Sequence, residues 1–227
     1  MKFKLNKGKQ NIIRWCVLGI IIFSGIILGF NIRNMSIVRS NEKAATIRKS
    51  KNTYGIDITS DAVDNIYKEL KVVENEFEWS GELEGGNIPN TIYIHHSVQN
   101  IEIQNIHTLH LKNGWAGMGY HYFIDKAGII YKGRDDDKIG AQAKNNNINS
   151  LGVCLQGDFE EDILGDVQRD SLLKLLRYLT LKNKIVDIRG HEEVTETLCP
   201  GENISVEELE KSLDSIMYKE FNVKKKN

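Results

Sequence analysis

Cysteine and proline are scarce in this chain, since its 227 residues include three cysteines and two prolines. Three cysteines cannot supply the disulfide framework that small secreted domains use in place of a large core. The sequence also has no internal repeat and no glycine-rich phosphate loop, so repeat architectures and phosphate-loop nucleotide sites have no support. A hydrophobic content of 41% suffices for one sizeable core, and we expect one folded domain with appended segments.

Basic side chains are concentrated at the start of the sequence. Residues 1–51 carry eleven Lys and Arg and one acid, Glu42, whereas the other 176 residues carry nineteen basic and thirty acidic side chains. The larger part of the chain therefore has a formal charge of −11. Affinity for nucleic acid comes mainly from neutralising phosphates, so this acidic part excludes nucleic acid as the expected partner.

One long apolar run, WCVLGIIIFSGIILGFNI at residues 15–32, contains eighteen residues without a charge and follows a basic tail at 1–14. At about 1.5 Å per residue it can cross most of a hydrocarbon core, and it predicts a transmembrane helix. A cleavable signal peptide is the alternative, but its apolar region would be shorter and would end in small residues, whereas this run ends in GFNIRNMS. Basic residues lie on both sides, so the positive-inside rule does not decide the orientation.

The segments that follow differ in composition. Residues 33–56 are charged and lack sustained periodicity, which is typical of a linker. Residues 57–80 predict a helical lead-in, and a basic tail occupies 221–227. The apolar residues at helical spacing in the lead-in are Ala62, Ile66, Leu70 and Val73, with Ser60 as the expected N-cap.

Residues 81–220 alternate between strand-like and helical patterns. The strand-like stretches are TIYIHHS, YHYFID, IIYKG, SLGVCLQG and IVDIRG, and the helical ones are NIEIQNIHTLHLKNG, DVQRDSLLKLLRYLTLKNK and SVEELEKSLDSIMYKEF. Strands interleaved with helices predict a single α/β domain with a central mixed β-sheet flanked by helices. The charged stretch RDDDK at 134–138 indicates a solvated loop.

Two predicted strands end in histidine. His95 and His96 end one strand and His191 ends another, so both could deliver an imidazole to the same edge of the sheet. Cys199 follows in a short polar loop. Two imidazoles and a thiolate are ligands that zinc accepts, and three protein ligands leave a fourth position for water. The alternative is a set of strand-end histidines that bond to backbone, together with an unpaired thiol.

The remaining cysteines and histidines fit structural roles better. Cys16 lies in the apolar run as a small hydrophobe, and Cys154 lies in an apolar strand as an inert core thiol. A bridge between Cys154 and Cys199 stays open for a domain outside the cell. His107 and His110 lie one helical turn apart, where packing or solvent exposure fits better than metal binding.

Five motifs carry a family resemblance. IYIHHSV, GWAGMGYHYFIDKAGIIYKGR, IGAQA, SLGVCLQGDF and GHEEVTETLCPG resemble, in order and spacing, the type 2 N-acetylmuramoyl-L-alanine amidases, a family that includes peptidoglycan recognition proteins and a phage lysozyme with amidase activity. The resemblance covers roughly residues 85–215. It implies peptidoglycan as substrate and partner and Zn²⁺ as cofactor, bound by His95, His191 and Cys199.

The same resemblance implies catalytic roles for Tyr120 and Thr197. Two neutral imidazoles and a thiolate would leave a zinc site with one net positive charge, enough to polarise a carbonyl and to lower the pKa of a bound water toward about 7. Tyr120, aided by Thr197, is then the candidate donor to the oxyanion of the muramoyl–L-alanine amide. A half-buried aromatic is the alternative for Tyr120. Noncatalytic members typically replace the cysteine, so Cys199 favours an enzyme.

Substrate contacts can be assigned to three residues. Trp115, among glycines, predicts a groove wall that could approach a glycan or stem peptide. His121 and Arg134 match family positions near that groove, although packing or a surface charge is the alternative for each. Gln142 stands where the family commonly has His, so the resemblance implies no peptide specificity there.

The resemblance, together with the apolar run, leaves three functions to consider. The first is a membrane-anchored zinc amidase with a cytoplasmic N-terminus and an extracytoplasmic catalytic domain. The second is a peptidoglycan-binding module without turnover. The third, a cytosolic recycling amidase, is disfavoured by the apolar run and by Cys199, where those relatives use Asp. The sequence assigns no oligomeric state and no preferred stem peptide.

Overall fold

The computed structural model describes residues 54–183 and 185–223, all of which fall within one compact unit. The basic tail at 1–14, the apolar run at 15–32 and most of the 33–56 linker lie outside these residues. Within the described ranges, no helix is long and apolar enough to cross a membrane.

Five strands form one mixed sheet. They are β1 (Thr91–His96), β2 (Tyr122–Ile124), β3 (Ile130–Lys132), β4 (Ser150–Leu155) and β5 (Asp187–Gly190). Their order in the sheet is β3-β2-β4-β1-β5. The pairs β2–β4, β4–β1 and β1–β5 are parallel, and only the edge pair β2–β3, a hairpin in sequence, is antiparallel. The α/β fold with a central mixed sheet is therefore confirmed.

Four α-helices accompany the sheet. They are α1 (Ser60–Leu70), α2 (Ile103–Lys112), α3 (Asp166–Asn183) and α4 (Val206–Phe221), and a 3-10 helix covers His191–Glu193. The N-cap of α1 is Thr59 rather than Ser60, because the Thr59 hydroxyl accepts a hydrogen bond from the Ala62 amide at 3.3 Å. The N-cap of α4 is Ser205, whose hydroxyl accepts from the Glu208 amide.

The helical lead-in of 57–80 is shorter than the periodicity predicts. Helix α1 ends at Leu70, and Lys71 adopts a left-handed conformation with φ of 50°. Val73 then pairs in parallel with Tyr131 of β3 instead of continuing the helix, since its amide donates to Ile130 O at 2.8 Å and its carbonyl accepts from the Lys132 amide. β-Branched residues such as Val73 suit strand positions, and this pairing covers part of the edge strand β3.

The sheet separates two apolar clusters. Ile92 and Ile94 of β1 belong to the larger cluster, which also includes buried side chains of α1, α3 and α4. Phe123 and Cys154 belong to the smaller cluster with residues of α2. Because side chains alternate along a strand, His95 follows Ile94 onto the α2 side, beside its register partner Cys154.

Candidate metal and active site

His95, His191 and Cys199 form one cluster, although they come from distant parts of the chain. Each offers one ligand atom, and these atoms all lie within 4.8 Å of one another. The Cys199 Sγ atom lies 3.6 Å from His95 Nδ1, and the two imidazole centroids are 4.5 Å apart. The structure thus brings together the three residues that the sequence predicts as metal ligands.

Strand register places the two histidines side by side. Ile94 of β1 is paired with Gly190, the last residue of β5, so His95 and His191 follow at the same edge of the sheet. The loop to Cys199 folds back onto both elements. The His96 amide donates to Cys199 Sγ at 3.4 Å, and the Glu192 amide donates to the Cys199 carbonyl at 2.8 Å. These two hydrogen bonds hold the Cys199 sulfur next to the imidazoles of His95 and His191.

The cluster fits a zinc ion in donor type, and the distance between His95 and Cys199 suits tetrahedral coordination. With Zn–N bonds of about 2.0–2.1 Å and a Zn–S bond of about 2.3 Å at tetrahedral angles, nitrogen and sulfur ligands lie about 3.5 Å apart. The 3.6 Å between His95 Nδ1 and Cys199 Sγ matches that spacing. Two nitrogens and one sulfur also leave a fourth tetrahedral position without a protein ligand, which is the layout of catalytic rather than structural zinc sites.

Burial controls protonation within the cluster. It lowers the pKa of His95 to about 3, with further repulsion from His191, and it also lowers the pKa of His191. Both imidazoles are therefore neutral at pH 7, the form that binds a metal. Burial raises the pKa of the Cys199 thiol to about 12, although the bond from the His96 amide favours the thiolate. A divalent cation among these atoms would stabilise the thiolate.

Tyr120 lies beside the cluster, with its ring centroid 5.0 Å from that of His95. Burial, reinforced by the thiols of Cys154 and Cys199, raises the Tyr120 pKa well above its ordinary value. Its hydroxyl thus keeps its proton at neutral pH and can donate a hydrogen bond. The Thr197 hydroxyl accepts from the Cys199 amide at 3.2 Å, so Thr197 also helps to hold the loop of the sulfur ligand.

A cavity of about 470 Å³ opens onto the cluster at His191. Its lining residues are Trp115, Ala141, Gln142, Lys144, Asn147, His191 and Thr195. Trp115 is 41% exposed and packs on the buried His110 ring, with centroids 4.6 Å apart. The structure therefore places Trp115 where the sequence predicts a groove wall, and an indole face is available to a ligand in the cavity.

His121 and Arg134 do not line this cavity. His121 is fully buried, accepts from the Gly152 amide through Nδ1 and contacts the Lys138 carbonyl through Nε2 at 2.9 Å. The buried Arg134 guanidinium donates to the Met118 and Ile139 carbonyls, each at 2.6 Å. Both side chains hold neighbouring loops together, and these positions give no support to their predicted contact with substrate.

The histidines of α2 position the loop that carries Tyr120. The His107 and His110 Nδ1 atoms accept from the Met118 and Gly119 amides at 3.1 and 3.0 Å. Gly119 is required because a Cβ there would lie 2.4 Å from Ala141 O. Both histidines are buried, so packing is the one of the two roles left open by the sequence that the structure shows. The hydrogen bonds by which they hold the Tyr120 loop were not predicted, although the nearby GWAGMG glycines were a signal of close packing.

The RDDDK stretch is only partly the solvated loop that its charge indicates, because Asp135 and Asp137 are exposed whereas Arg134 and Asp136 are buried. Asp136 is 9% exposed, and its carboxylate accepts from Lys132 Nζ at 2.5 Å, Lys182 Nζ at 2.7 Å and Tyr122 OH at 2.9 Å. Burial alone would raise the Asp136 pKa, but the two lysines outweigh it and hold that pKa well below its usual range. These residues line a second cavity of about 570 Å³, which contains none of the predicted site residues.

The described residues form an α/β protein whose mixed sheet brings a His-His-Cys cluster to the mouth of a cavity, and this cluster is a candidate metal site with three protein ligands. The family to which the chain belongs is also defined. The model of the N-acetylmuramoyl-L-alanine amidase family matches residues 85–202, and the chain belongs to that family.

Similar proteins include enzymes and recognition proteins. The endolysin of Escherichia phage T7 is 35% identical over 121 residues, which are 49% of this chain and 80% of the endolysin. The solved endolysin N-acetylmuramoyl-L-alanine amidase LysCS of Clostridium intestinale has a TM-score of 0.61 and 38% identity, covering 63% of this chain and 94% of that one. A variant of Drosophila peptidoglycan recognition protein LB, in complex with tracheal cytotoxin, has a TM-score of 0.54 and 27% identity. The match covers 60% of this chain and 92% of that one. The family match and the endolysin relatives both support peptidoglycan amidase activity.

Proposed function

We propose that this protein is a zinc-dependent amidase that hydrolyses the amide between N-acetylmuramoyl and L-alanine in peptidoglycan. The observation that carries the proposal is the cluster of His95, His191 and Cys199, with spacing that suits zinc, at the mouth of a cavity and beside Tyr120. Zinc bound there would polarise the scissile carbonyl and activate water as the nucleophile.

The residues of the cluster and those around it have different roles in the proposed reaction. Two neutral imidazoles and one sulfur hold the ion, and the Tyr120 hydroxyl, which keeps its proton, donates to the oxygen on which negative charge develops. The Trp115 face orients the glycan or the stem peptide in the cavity. Thr197 keeps the Cys199 loop in place through its bond to the Cys199 amide.

A peptidoglycan-binding module without turnover is the second candidate, because peptidoglycan recognition protein LB is a relative and its solved structure contains tracheal cytotoxin. Catalysis and recognition need the same cavity but differ in their need for the metal. Retention of all three ligand residues, Cys199 included, favours catalysis.

The test measures metal content and new amino termini together. Purified protein with one equivalent of Zn²⁺ is incubated with purified cell walls, and free L-alanine amino groups are quantified after dinitrophenylation. We expect the wild type to release them and Cys199→Ala to release none. The control Cys154→Ala, which removes the second buried thiol of the described residues, should retain the metal. Zinc-loaded wild type that binds walls but releases no L-alanine amino termini would leave recognition as the function.

The site of action is part of the proposal. Peptidoglycan lies outside the cytoplasmic membrane, and the apolar run at residues 15–32 is long enough to hold the enzyme there with its N-terminus in the cytoplasm. In cells stripped of wall, added protease should therefore digest residues 85–227. Protection of that region in intact cells, with digestion only after lysis, would contradict an extracytoplasmic domain.

A further inference from the structure

The side chain of Gln142 lies against His95, which is the most deeply buried residue of the His95, His191 and Cys199 cluster. Gln142 is 8% exposed, and its Oε1 atom lies 2.5 Å from His95 Nε2, whereas Cys199 Sγ lies near the other ring nitrogen, Nδ1. We propose that Gln142 is a positioning residue, which fixes the tautomer and orientation of His95 and thereby tunes the affinity of the cluster for its metal. The metal part of this inference rests on the proposed function.

The orientation of the Gln142 amide follows from its second partner. The Ser150 hydroxyl lies within 3.0 Å of the carbonyls of Asn146 and Asn147, so its single hydrogen is directed to backbone oxygens. The Ser150 oxygen can therefore only accept a hydrogen bond from Gln142. The Gln142 Nε2 atom is the donor and lies 3.1 Å from it. The amide oxygen of Gln142 is consequently the atom that faces His95.

This orientation determines which nitrogen of His95 carries hydrogen. An amide oxygen can accept but not donate, so His95 Nε2 carries the hydrogen and donates it to Gln142. Nδ1 then presents its lone pair toward Cys199 Sγ, 3.6 Å away. A hydrogen bond on the far ring nitrogen of a metal-binding histidine commonly fixes the tautomer and raises the basicity of the ligand nitrogen.

The fold holds Gln142 in place from several sides. Its backbone amide donates to Asn147 Oδ1 at 2.8 Å. Gly152 of β4 leaves the space for its side chain, because a Cβ at that position would lie 2.7 Å from Gln142 Cγ. Gln142 therefore reaches His95 along a fixed path, as a positioning residue requires.

The first experiment needs no metal. Nitrogen-15 NMR of the metal-free protein should show His95 as the Nε2–H tautomer in the wild type and in Gln142→Glu, whose carboxylate can accept the same bond. In Gln142→Met, which has similar volume but no acceptor, we expect a mixture of tautomers. An Nδ1–H tautomer in the wild type would overturn the inference whether or not the protein is an amidase.

The second experiment measures zinc affinity by competition with a chromophoric chelator. We expect Gln142→Met to bind zinc about 10–100-fold more weakly than the wild type and Gln142→Glu to bind it at least as tightly. Gln168→Met is the matched control, since buried Gln168 donates to the Ile124 and Gln156 carbonyls and its loss should lower the Tm without changing zinc affinity.

The outcomes separate the two proposals. A wild type that binds no zinc refutes the zinc amidase, and the NMR result then decides the role of Gln142 alone. A wild type that binds zinc, with Gln142→Met and Gln168→Met equally tight, overturns the positioning role and leaves the amidase proposal intact. If Gln142→Met does not fold, a Gln142→Glu affinity more than tenfold weaker than wild type also contradicts the inference.

Discussion

Acid should destabilise the metal-free protein through His121, because this imidazole is buried in its neutral form. Burial lowers the His121 pKa from 6.5 to about 4. The folded state therefore binds fewer protons than the unfolded state between these values, and stability rises with pH. The full contribution is present above pH 6.5 and is lost as the pH falls toward 4. A shift of that size corresponds to about 3 kcal/mol.

The substitution His121→Gln isolates this contribution. Glutamine can still accept from the Gly152 amide and donate to the Lys138 carbonyl, but it does not titrate. Urea unfolding of both metal-free proteins at pH 7 and pH 4.5 should show a smaller loss of unfolding free energy for the variant, by about 2–3 kcal/mol. Equal losses in the two proteins, within the error of the measurement, would refute the reasoning.

Two further substitutions test the proposed role of Tyr120 and the buried ion network around Asp136. Tyr120→Phe should reduce kcat about 10²–10³-fold on cell walls while zinc content stays at one equivalent, because one donor to the oxyanion is lost; an unchanged kcat would exclude Tyr120 from this role. Asp136→Asn leaves the buried Lys132 ammonium without its carboxylate and should cost about 3–5 kcal/mol of unfolding free energy in urea. A loss below about 1 kcal/mol would show that the network is well solvated.

Local patterns suggested the candidate metal cluster but left histidines bonded to backbone and an unpaired thiol as the alternative, and the family resemblance favoured the metal site. His95 and His191 each follow an apolar strand, and residues that end parallel strands lie at one edge of a sheet, so their meeting needed no knowledge of distant contacts. The polar loop around Cys199 made a core role for that thiol unfavourable. The five family motifs supplied Tyr120 and Thr197, which no spacing rule identifies.

Tertiary contacts explain where the sequence was misleading. Three adjacent aspartates in 134–138 have the composition of an exposed loop, but Lys132 and Lys182 neutralise Asp136 in the interior, and Lys182 lies 46 residues away on α3. His121 and Arg134 match positions near the groove in motif and yet satisfy backbone atoms instead of lining the cavity. Such pairings depend on how distant segments pack, which periodicity and composition do not record.

The contact between Gln142 and His95 has the same origin. In sequence, Gln142 is a substitution for a residue common in the family and carries no evident chemistry. Its role emerges only when the loop before β4 folds over β1 and the Ser150 hydroxyl orients its amide.

Identification of the bond that is cut tests the central claim most directly. Cell walls are digested by the zinc-loaded protein in water enriched in oxygen-18, and the products are analysed by mass spectrometry. The account predicts one oxygen-18 atom in the lactyl carboxylate of the muramoyl product and a free amino terminus on the L-alanine peptide. Label at a glycan reducing end, or at a carboxylate inside the stem peptide, would contradict it.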